Sequence, residues 1–263
     1  MILNGKKIAD EIFNSLKELQ PPEGKFVVIQ VGNDPVSNLY VLQKKAMAEK
    51  LNFVIEVQKF DEIVSEDELK QEITQLNNDP KVRAIMVQMP LPKNIDRIKI
   101  SELIDVKKDV DGFSYILEKS PFTFFPPTIL AIDEILRYYK ISKINKKILI
   151  VGEGFLVGKP LFHFYKDQKL AVSVLKKDDA DYEKKLKESD IIVVATGGGR
   201  VFSKDDFKSG VTVIDASTVS DEGKIRGDVN LADWPNGVNI APVPGGVGPL
   251  TVAMLMKNYY SLS

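Results

Sequence analysis

The 263-residue sequence predicts an α/β protein of two lobes, each built on a parallel sheet. Two observations predict this class: short β-branched runs alternate with helix-like stretches, and several runs are continuously apolar, as in strands covered on both faces. The predicted strands are KFVVIQV (25–31), FVIEVQKF (53–60), RAIMVQM (83–89), KKILIVG (146–152), AVSVLK (171–176), DIIVVAT (190–196) and VTVIDAS (211–217). The predicted helices cover residues 5–19, 36–51, 65–78, 129–140 and 180–188.

The segment KSPFTFFPP (119–127) interrupts this alternation with three prolines and three phenylalanines. It therefore predicts a boundary between a first lobe of residues 1–120 and a second lobe of residues 121–247. The C-terminal helix, residues 248–263, is expected to return to the first lobe and complete it.

Composition excludes several classes of function. A net charge of −1, from 36 basic and 37 acidic residues, gives no reason to expect nucleic acid or an anionic membrane as a partner. The absence of cysteine excludes disulfides and thiolate chemistry, and one histidine, His163, is too few for a histidine-based metal site. No apolar run approaches the ~20 residues of a membrane span and no signal peptide is apparent, so a soluble cytoplasmic protein is expected.

The second lobe contains a glycine-rich turn, GEGFLVGKP (152–160), directly after a predicted strand. Gly152 allows a tight turn, Gly154 allows close approach of a pyrophosphate, and Gly158 allows close packing of the following helix. The turn predicts a Rossmann-like NAD(P) site, with a plain strand-to-helix turn as the alternative because the spacing is GxGxxxG.

Charged residues follow the next predicted strand. Lys176 and Lys177 lie where an NAD site usually places an acid, so they favour the 2′-phosphate of NADP. Asp178 and Asp179 follow at once, which keeps NAD and a merely solvated charge run open as alternatives. The loop VATGGGR (194–200), with Thr196 and Gly197, suits the nicotinamide side of the same site.

The first lobe carries a lysine on an otherwise apolar helical stripe. Asp34 and Pro35 predict the start of the helix, on which Tyr40, Lys44, Met47 and Leu51 share one face. Lys44 either extends along this face to reach water or is a desolvated acid–base group with a lowered pKa.

Three loops supply further candidate residues. VQMPLP (87–92) presents Gln88 after a buried strand, and KKDVDGF (107–113) presents Asp109 and Asp111 before a glycine. APVPGGVGP (241–249) holds three prolines and three glycines before a helix, which predicts a rigid loop that a ligand approaches closely.

Together these stretches resemble the bifunctional methylenetetrahydrofolate dehydrogenase/methenyltetrahydrofolate cyclohydrolase family. The resemblance follows chain order through ILNGKKIADEI, VGNDPVSNLYVLQKK, VQMPLP, KKDVDGF, GKP, GDVN and PVPGGVGPLTVAMLM. It implies a homodimer in which the first lobe holds a tetrahydrofolate derivative against an NAD(P) lobe across a cleft. The implied reactions are oxidation of 5,10-methylenetetrahydrofolate to the methenyl form and hydrolysis of that product to 10-formyltetrahydrofolate.

The resemblance also implies residue roles. Lys44 resembles the lysine that transfers protons, and Gln88 the residue that orients it. Tyr40 resembles the aromatic residue stacked on the folate, and Asp111 the carboxylate that binds the pterin. Pro244, Gly245, Gly246 and Gly248 resemble the loop where folate and nicotinamide meet, with the glycines keeping that approach open.

Three departures from the family pattern affect the NAD(P) lobe. Glu153 and Gly154 stand in a turn that usually contains serine, PPTILA (126–131) replaces PCTPxG, and VIDASTV, with Thr218, replaces VIDVGIN beside the nicotinamide. A monofunctional enzyme of the same family, a relative of shikimate or amino-acid dehydrogenases, and a folate-binding protein without catalysis are the alternatives.

Overall fold

The computed structural model describes residues 1–198, 201–221, 224–230 and 237–262. Its α-helices are α1 (Gly5–Lys17), α2 (Pro35–Lys50), α3 (Glu66–Asn78), α4 (Arg97–Glu102), α5 (Phe113–Ile116), α6 (Pro127–Tyr138), α7 (Gly158–Asp167), α8 (Tyr182–Glu188) and α9 (Val247–Tyr260). Its strands are β1 (Lys25–Val31), β2 (Ile55–Phe60), β3 (Val82–Val87), β4 (Ile148–Val151), β5 (Val172–Leu175), β6 (Ile191–Val194), β7 (Thr212–Asp215), β8 (Val219–Asp221), β9 (Lys224–Arg226) and β10 (Asn239–Ala241). The predicted α/β class is confirmed, and each predicted element has a counterpart whose ends differ by at most two residues, except that the C-terminal helix ends three residues earlier than predicted.

The chain folds into two compact units. The five-stranded unit contains Met1–Asp10 and Thr128–Thr251, and the three-stranded unit contains Glu11–Pro127 and Val252–Ser263. The last part of α9 thus returns to the unit that holds β1–β3, as predicted. The functional division at residues 120/121 and 247/248 stays a prediction.

In the five-stranded unit all strands of the main sheet are parallel, in the order β10-β7-β6-β4-β5. Strands β4 and β6 are buried along their whole length, as their continuous apolar sequences predict, and β7 is equally buried although it contains Thr212 and Asp215. From β4 the chain proceeds to β5 on one side and then to β6 on the other. The carboxyl ends of β4 and β6 therefore flank the switch point where doubly wound sheets bind ligands.

The N-terminal residues add to the edge of this sheet. The N–H of Leu3 donates to the carbonyl of Ile240 at 2.7 Å, and the N–H of Ile240 donates to the carbonyl of Met1 at 3.0 Å. These backbone bonds explain why residues 1–10 belong to the five-stranded unit.

In the three-stranded unit the parallel strand order is β2-β1-β3. Helix α2 begins as predicted, since the Asp34 carboxylate accepts a hydrogen bond from the N–H of Ser37 at 2.7 Å. Of the predicted stripe on α2, Lys44 and Leu51 are buried, whereas Tyr40 and Met47 are only partly buried. Val41 and Ala48, one residue further along from each of these two, are buried in their place.

The end of α9 fixes this unit. The ring of Tyr259 lies 5.1 Å from that of Phe26 and 4.7 Å from that of Phe53, measured between centroids. The Tyr259 hydroxyl donates to the carbonyl of Gly24 at 3.0 Å, so the aromatic ring is buried without losing its polar bond. Within the described residues no helix has the length and apolar character needed to cross a membrane.

Candidate active site

Lys44 and Gln88 form a buried polar pair in the three-stranded unit. Helix α2 carries Lys44, and Gln88 directly follows β3. The Lys44 Nζ donates to the Gln88 Oε1 at 2.7 Å, and the two residues are only 5% and 8% exposed. The Gln88 Nε2 donates to the carbonyl of Met89 at 2.7 Å, which orients the amide so that its oxygen faces the lysine.

The environment of Lys44 changes its acid–base chemistry. Burial lowers the pKa of Lys44 from 10.5 to about 8, and the nearby charge of Asp111 partly offsets this by raising it. A lysine with that pKa is neutral in about one molecule in ten at pH 7. Of the two alternatives from the sequence, the desolvated lysine is therefore the one the structure contains.

The two aspartates of KKDVDGF differ in their environments and in their hydrogen-bonding partners. Asp109 is buried, and its carboxylate accepts from the N–H groups of Phe113 and Ser114 at 3.0 and 2.7 Å and from the Ser114 hydroxyl at 2.8 Å. Asp111 is partly exposed, and desolvation raises the pKa of its carboxyl to about 6, while Lys44 opposes the shift. Asp109 therefore holds the loop, and Asp111 remains ionised at neutral pH and available to a ligand.

Asn258 on α9 anchors this loop. Its Nδ2 donates to the carbonyl of Val110 at 2.9 Å and to that of Phe125 at 3.2 Å. Gly112 lies against the same segment: its φ is 71°, and a Cβ there would lie 2.7 Å from the backbone nitrogen of Pro126. The sequence offered no signal for Asn258, because its partners are 148 and 133 residues away.

In the five-stranded unit the glycine turn follows β4 at the switch point. Gly152 has φ 98°, and a Cβ there would lie 2.6 Å from the carbonyl oxygen of Ala195, while a Cβ on Gly158 would lie 2.0 Å from the oxygen of Gly152. At Gly154 the nearest atom to such a Cβ is the Ala195 oxygen at 3.9 Å. Packing thus requires the first and third glycines, and the second borders open space that a pyrophosphate could enter.

An ion pair joins this turn to the end of β5. The Glu153 Oε2 lies 2.8 Å from the Lys176 Nζ, and both side chains are more than half exposed. The Asp179 Oδ2 accepts from the N–H of Lys176 at 3.1 Å and from the Lys185 Nζ at 3.0 Å, so Asp179 is occupied in the turn. Lys177 is exposed beside them.

The loop after β6 is held by a buried carboxylate. The Asp228 Oδ2 accepts from the Thr196 hydroxyl and from the N–H of Gly198, the latter at 3.1 Å. The N–H of Thr196 donates to the Ser217 hydroxyl at 3.2 Å, next to the partly buried Thr218.

Gly197 lies at the tip of the same loop. It is exposed with φ 68°, and a Cβ there would meet none of the described atoms within 4 Å. Gly199 and Arg200 of the predicted loop lie outside the described residues. The described part of the loop therefore leaves space beside Gly197 that a ligand could enter.

A second aspartate supports Asp228. The Asp215 carboxylate accepts from the N–H groups of Ser217 and Val229 at 3.0 and 2.8 Å, and burial raises the pKa of Asp215 to about 6. Asp215 and Asp228 were not singled out from the sequence. The motif GDVN, which contains Asp228, was the available signal.

The loop around Pro244 contains glycines that were all expected to keep the approach of a ligand open, and the structure gives one of them a different role. Gly245 has φ 102°, and a Cβ there would meet no described atom within 4 Å, but a Cβ on Gly246 would lie 2.6 Å from the Pro242 oxygen. Position 246 therefore requires glycine because the loop backbone packs against it, and not only because a side chain there would block a ligand. Pro244 is exposed, and Gly248 is the second residue of α9.

Among the described residues no group of three or more His, Cys, Asp or Glu side chains could hold a metal ion. The doubly wound sheet with a glycine turn at its switch point is typical of nucleotide-binding α/β enzymes.

The sequence comparisons identify the family. Residues 3–111 match the family model for the tetrahydrofolate dehydrogenase/cyclohydrolase catalytic domain, and residues 126–263 match that for the NAD(P)-binding domain. The chain therefore belongs to the tetrahydrofolate dehydrogenase/cyclohydrolase family, as the motifs predicted, rather than to the shikimate or amino-acid dehydrogenases.

Similar proteins agree with this assignment. The bifunctional protein FolD of Staphylococcus haemolyticus is 39% identical, covering 98% of this chain and 94% of the relative. The crystal structure of the bifunctional FolD enzyme from Campylobacter jejuni has a TM-score of 0.88 at 33% identity, covering 98% of this chain and 96% of that one. The FolD of Trypanosoma brucei, solved with NADP and an inhibitor, has a TM-score of 0.89 at 27% identity, covering 100% and 96%.

Proposed function

We propose that this protein oxidises 5,10-methylenetetrahydrofolate to 5,10-methenyltetrahydrofolate with NAD(P)⁺ and hydrolyses that product to 10-formyltetrahydrofolate. The observation that carries the proposal is the buried Lys44–Gln88 pair. Family membership supplies the substrate class, and the pair supplies an acid–base group suited to the hydrolytic step.

Lys44 transfers the protons of hydrolysis. Water adds to the methenyl carbon, and the five-membered ring opens as a C–N bond breaks and the added oxygen becomes the formyl C=O. The water therefore loses both of its protons: one ends on the freed ring nitrogen, and the other is released to solvent as the positive charge of the methenyl form is lost. Lys44 accepts a proton when neutral and donates it when charged, which its lowered pKa allows near neutrality. Gln88 accepts from the lysine in both states and keeps its Nζ oriented.

Tyr40 and Asp111 position the substrate. Tyr40 lies one helical turn before Lys44 and is partly exposed, and its ring stacks on the benzoyl ring of folate in this proposal. Asp111 is ionised at neutral pH and accepts from the N–H groups on the pterin edge in a charge-assisted hydrogen bond. Pro244, Gly245, Gly246 and Gly248 form the further substrate-binding loop.

The glycine turn holds the dinucleotide, with NADP preferred over NAD. When bound, NAD(P)⁺ accepts a hydride at C4 of its nicotinamide ring. Gly152, Gly154 and Gly158 position the pyrophosphate, Lys176 and Lys177 attract a 2′-phosphate, and the nicotinamide side comprises Thr196, Gly197 and Thr218. The open space at Gly154 and Gly197 fits such a ligand.

We also propose the functional division into a folate lobe, residues 1–120 with 248–263, and an NAD(P) lobe, residues 121–247. The protein would act as a cytoplasmic homodimer in one-carbon metabolism, supplying purine biosynthesis, without nucleic acid or membrane as a partner.

A spectrophotometric assay tests the proposal. Purified protein is mixed with 5,10-methylenetetrahydrofolate and NADP⁺ or NAD⁺, and hydrolysis of methenyltetrahydrofolate is followed separately. Reduction of either dinucleotide together with hydrolysis faster than the uncatalysed rate is expected. Hydrolysis alone would leave a monofunctional cyclohydrolase, reduction alone a monofunctional dehydrogenase, and neither would overturn the assignment.

A further inference from the structure

The ion pair between Glu153 and Lys176 bridges two neighbouring strand ends. Glu153 follows β4 by two residues, Lys176 follows β5 directly, and Val151 and Leu175 are register partners in the parallel ladder. The carboxylate and the ammonium are 2.8 Å apart. Because the pair is exposed, substitutions at either position can be made without disturbing the core.

This position has a defined meaning in a doubly wound nucleotide-binding fold. The glycine turn holds the pyrophosphate, and the residue at the end of the next strand contacts the 2′ position of the adenosine ribose. An acid there binds the hydroxyl of NAD, and a cation accommodates the phosphate of NADP. In this chain the strand end provides the cation, Lys176, and the glycine turn provides the acid, Glu153. A group that favours NADP and a group that favours NAD are therefore in contact with each other.

The two dinucleotides make opposite demands on the pair. The ribose hydroxyls of NAD can donate to Glu153 while Lys176 keeps its partner. A 2′-phosphate carries negative charge, so it is repelled by Glu153 and must take Lys176 away from it. The other acid in contact with Lys176, Asp179, accepts hydrogen bonds from its backbone N–H and from the side chain of Lys185, and not from the Lys176 ammonium.

We infer that Glu153 is a specificity-determining residue that restrains the preference for NADP, by occupying Lys176 and by offering the ribose of NAD a hydrogen-bond acceptor. The inference rests on the proposed dehydrogenase function and concerns its cofactor. It adds to the proposed role of the two lysines, because the preference between NADP and NAD would depend on Glu153 as well as on Lys176.

The test compares Glu153→Gln with Lys176→Met and with a matched control, Asp178→Asn, which removes an exposed negative charge from the same turn. Dissociation constants for NADP⁺ and NAD⁺ are measured by calorimetry on the full-length protein. For each variant, kcat/KM is measured with both dinucleotides.

Glu153→Gln should raise the ratio of NADP⁺ to NAD⁺ affinity about tenfold, and Lys176→Met should lower it by a similar factor, as expected for one charge near a phosphate at a protein surface. The same change should appear in the ratio of kcat/KM. A ratio in Glu153→Gln within about twofold of wild type, or equal to that of Asp178→Asn, would overturn the inference. The binding ratio is obtained without folate, so failure of the folate reactions would count against the proposed function and not against this inference.

Discussion

Two lysines of this protein have hydrogen-bonding partners at nearly the same distance and respond in opposite ways. Lys44 is 2.7 Å from the neutral amide of Gln88 and is 5% exposed, and burial lowers its pKa to about 8. Lys176 is 2.8 Å from the carboxylate of Glu153 and its side chain is 59% exposed, and that partner raises its pKa. The distance to a hydrogen-bonding partner therefore does not determine the direction in which the pKa of a lysine shifts.

The difference comes from solvent and from the charge of the partner. A buried lysine beside a neutral acceptor loses hydration of its charged form and gains no compensating charge from that acceptor, so it gives up a proton more readily. An exposed lysine beside a carboxylate keeps its hydration and stays charged. The first environment suits proton transfer, and the second suits attraction of a phosphate.

The largest expected effect comes from removing the buried amine. Lys44→Met keeps the unbranched apolar stem of the side chain but removes the amine that transfers protons, so methenyltetrahydrofolate hydrolysis should fall by about a thousandfold. Hydride transfer depends mainly on positioning, so the rate of dinucleotide reduction should stay within about tenfold of wild type. Lys45→Met, one residue along α2 on a partly exposed side chain, is the matched control and should retain both rates. Hydrolysis by Lys44→Met at more than a tenth of the wild-type rate would remove Lys44 from the mechanism.

A second substitution gives Lys44 the kind of partner that Lys176 has. Gln88→Glu places a carboxylate next to the buried ammonium, which should raise the pKa of Lys44 from about 8 towards its ordinary 10.5. The neutral fraction at pH 7, and with it the hydrolytic rate, should then fall by about a hundredfold. Hydrolysis is measured from pH 6 to pH 10, and activity should recover as the pH rises.

Gln88→Met serves as the control for that substitution, because it also removes the amide but adds no charge. Its loss of activity should not be recovered at high pH. Identical pH profiles for the glutamate and methionine variants would show that the partner's charge does not govern Lys44.

Much of the three-stranded unit was predictable from local patterns. The start of α2 follows from Asp34 and Pro35, and a lysine among apolar residues was recognisable from helical spacing. Two members of the predicted stripe, Tyr40 and Met47, are less buried than their neighbours Val41 and Ala48, because tertiary packing, and not the spacing of apolar residues alone, decides which side chains face inward. The sequence also did not show that Asp109 holds the loop while Asp111 is available to a ligand, because both residues lie in one short motif.

Long-range contacts explain what the sequence could not reveal in either unit. Asn258 reaches Val110 across 148 positions, and Gly5 packs its Cα against the backbone of Gly246, where a Cβ on Gly5 would lie 2.0 Å from the oxygen. The Glu153–Lys176 pair likewise depends on β4 and β5 being neighbours in the sheet. Each residue was visible in the sequence, but its partner is fixed only by tertiary structure.

The smallest expected effect concerns the electrostatic interaction between Lys44 and Asp111. The Asp111 carboxylate raises the pKa of Lys44 against the effect of burial, so Asp111→Asn should lower that pKa further below about 8. Because the neutral amine is the form that accepts a proton, the rise of kcat/KM for hydrolysis with pH should shift to lower pH in the variant. The shift is measured relative to each variant's own maximum, so weaker folate binding by Asp111→Asn does not affect it.

The control for this substitution is Asp105→Asn, which removes a carboxylate from the same connection and should leave the profile unchanged. Asp109→Asn is not a suitable control, because Asp109 holds the loop itself. A profile that moves to higher pH in Asp111→Asn would mean that Lys44 is not the group whose ionisation limits hydrolysis.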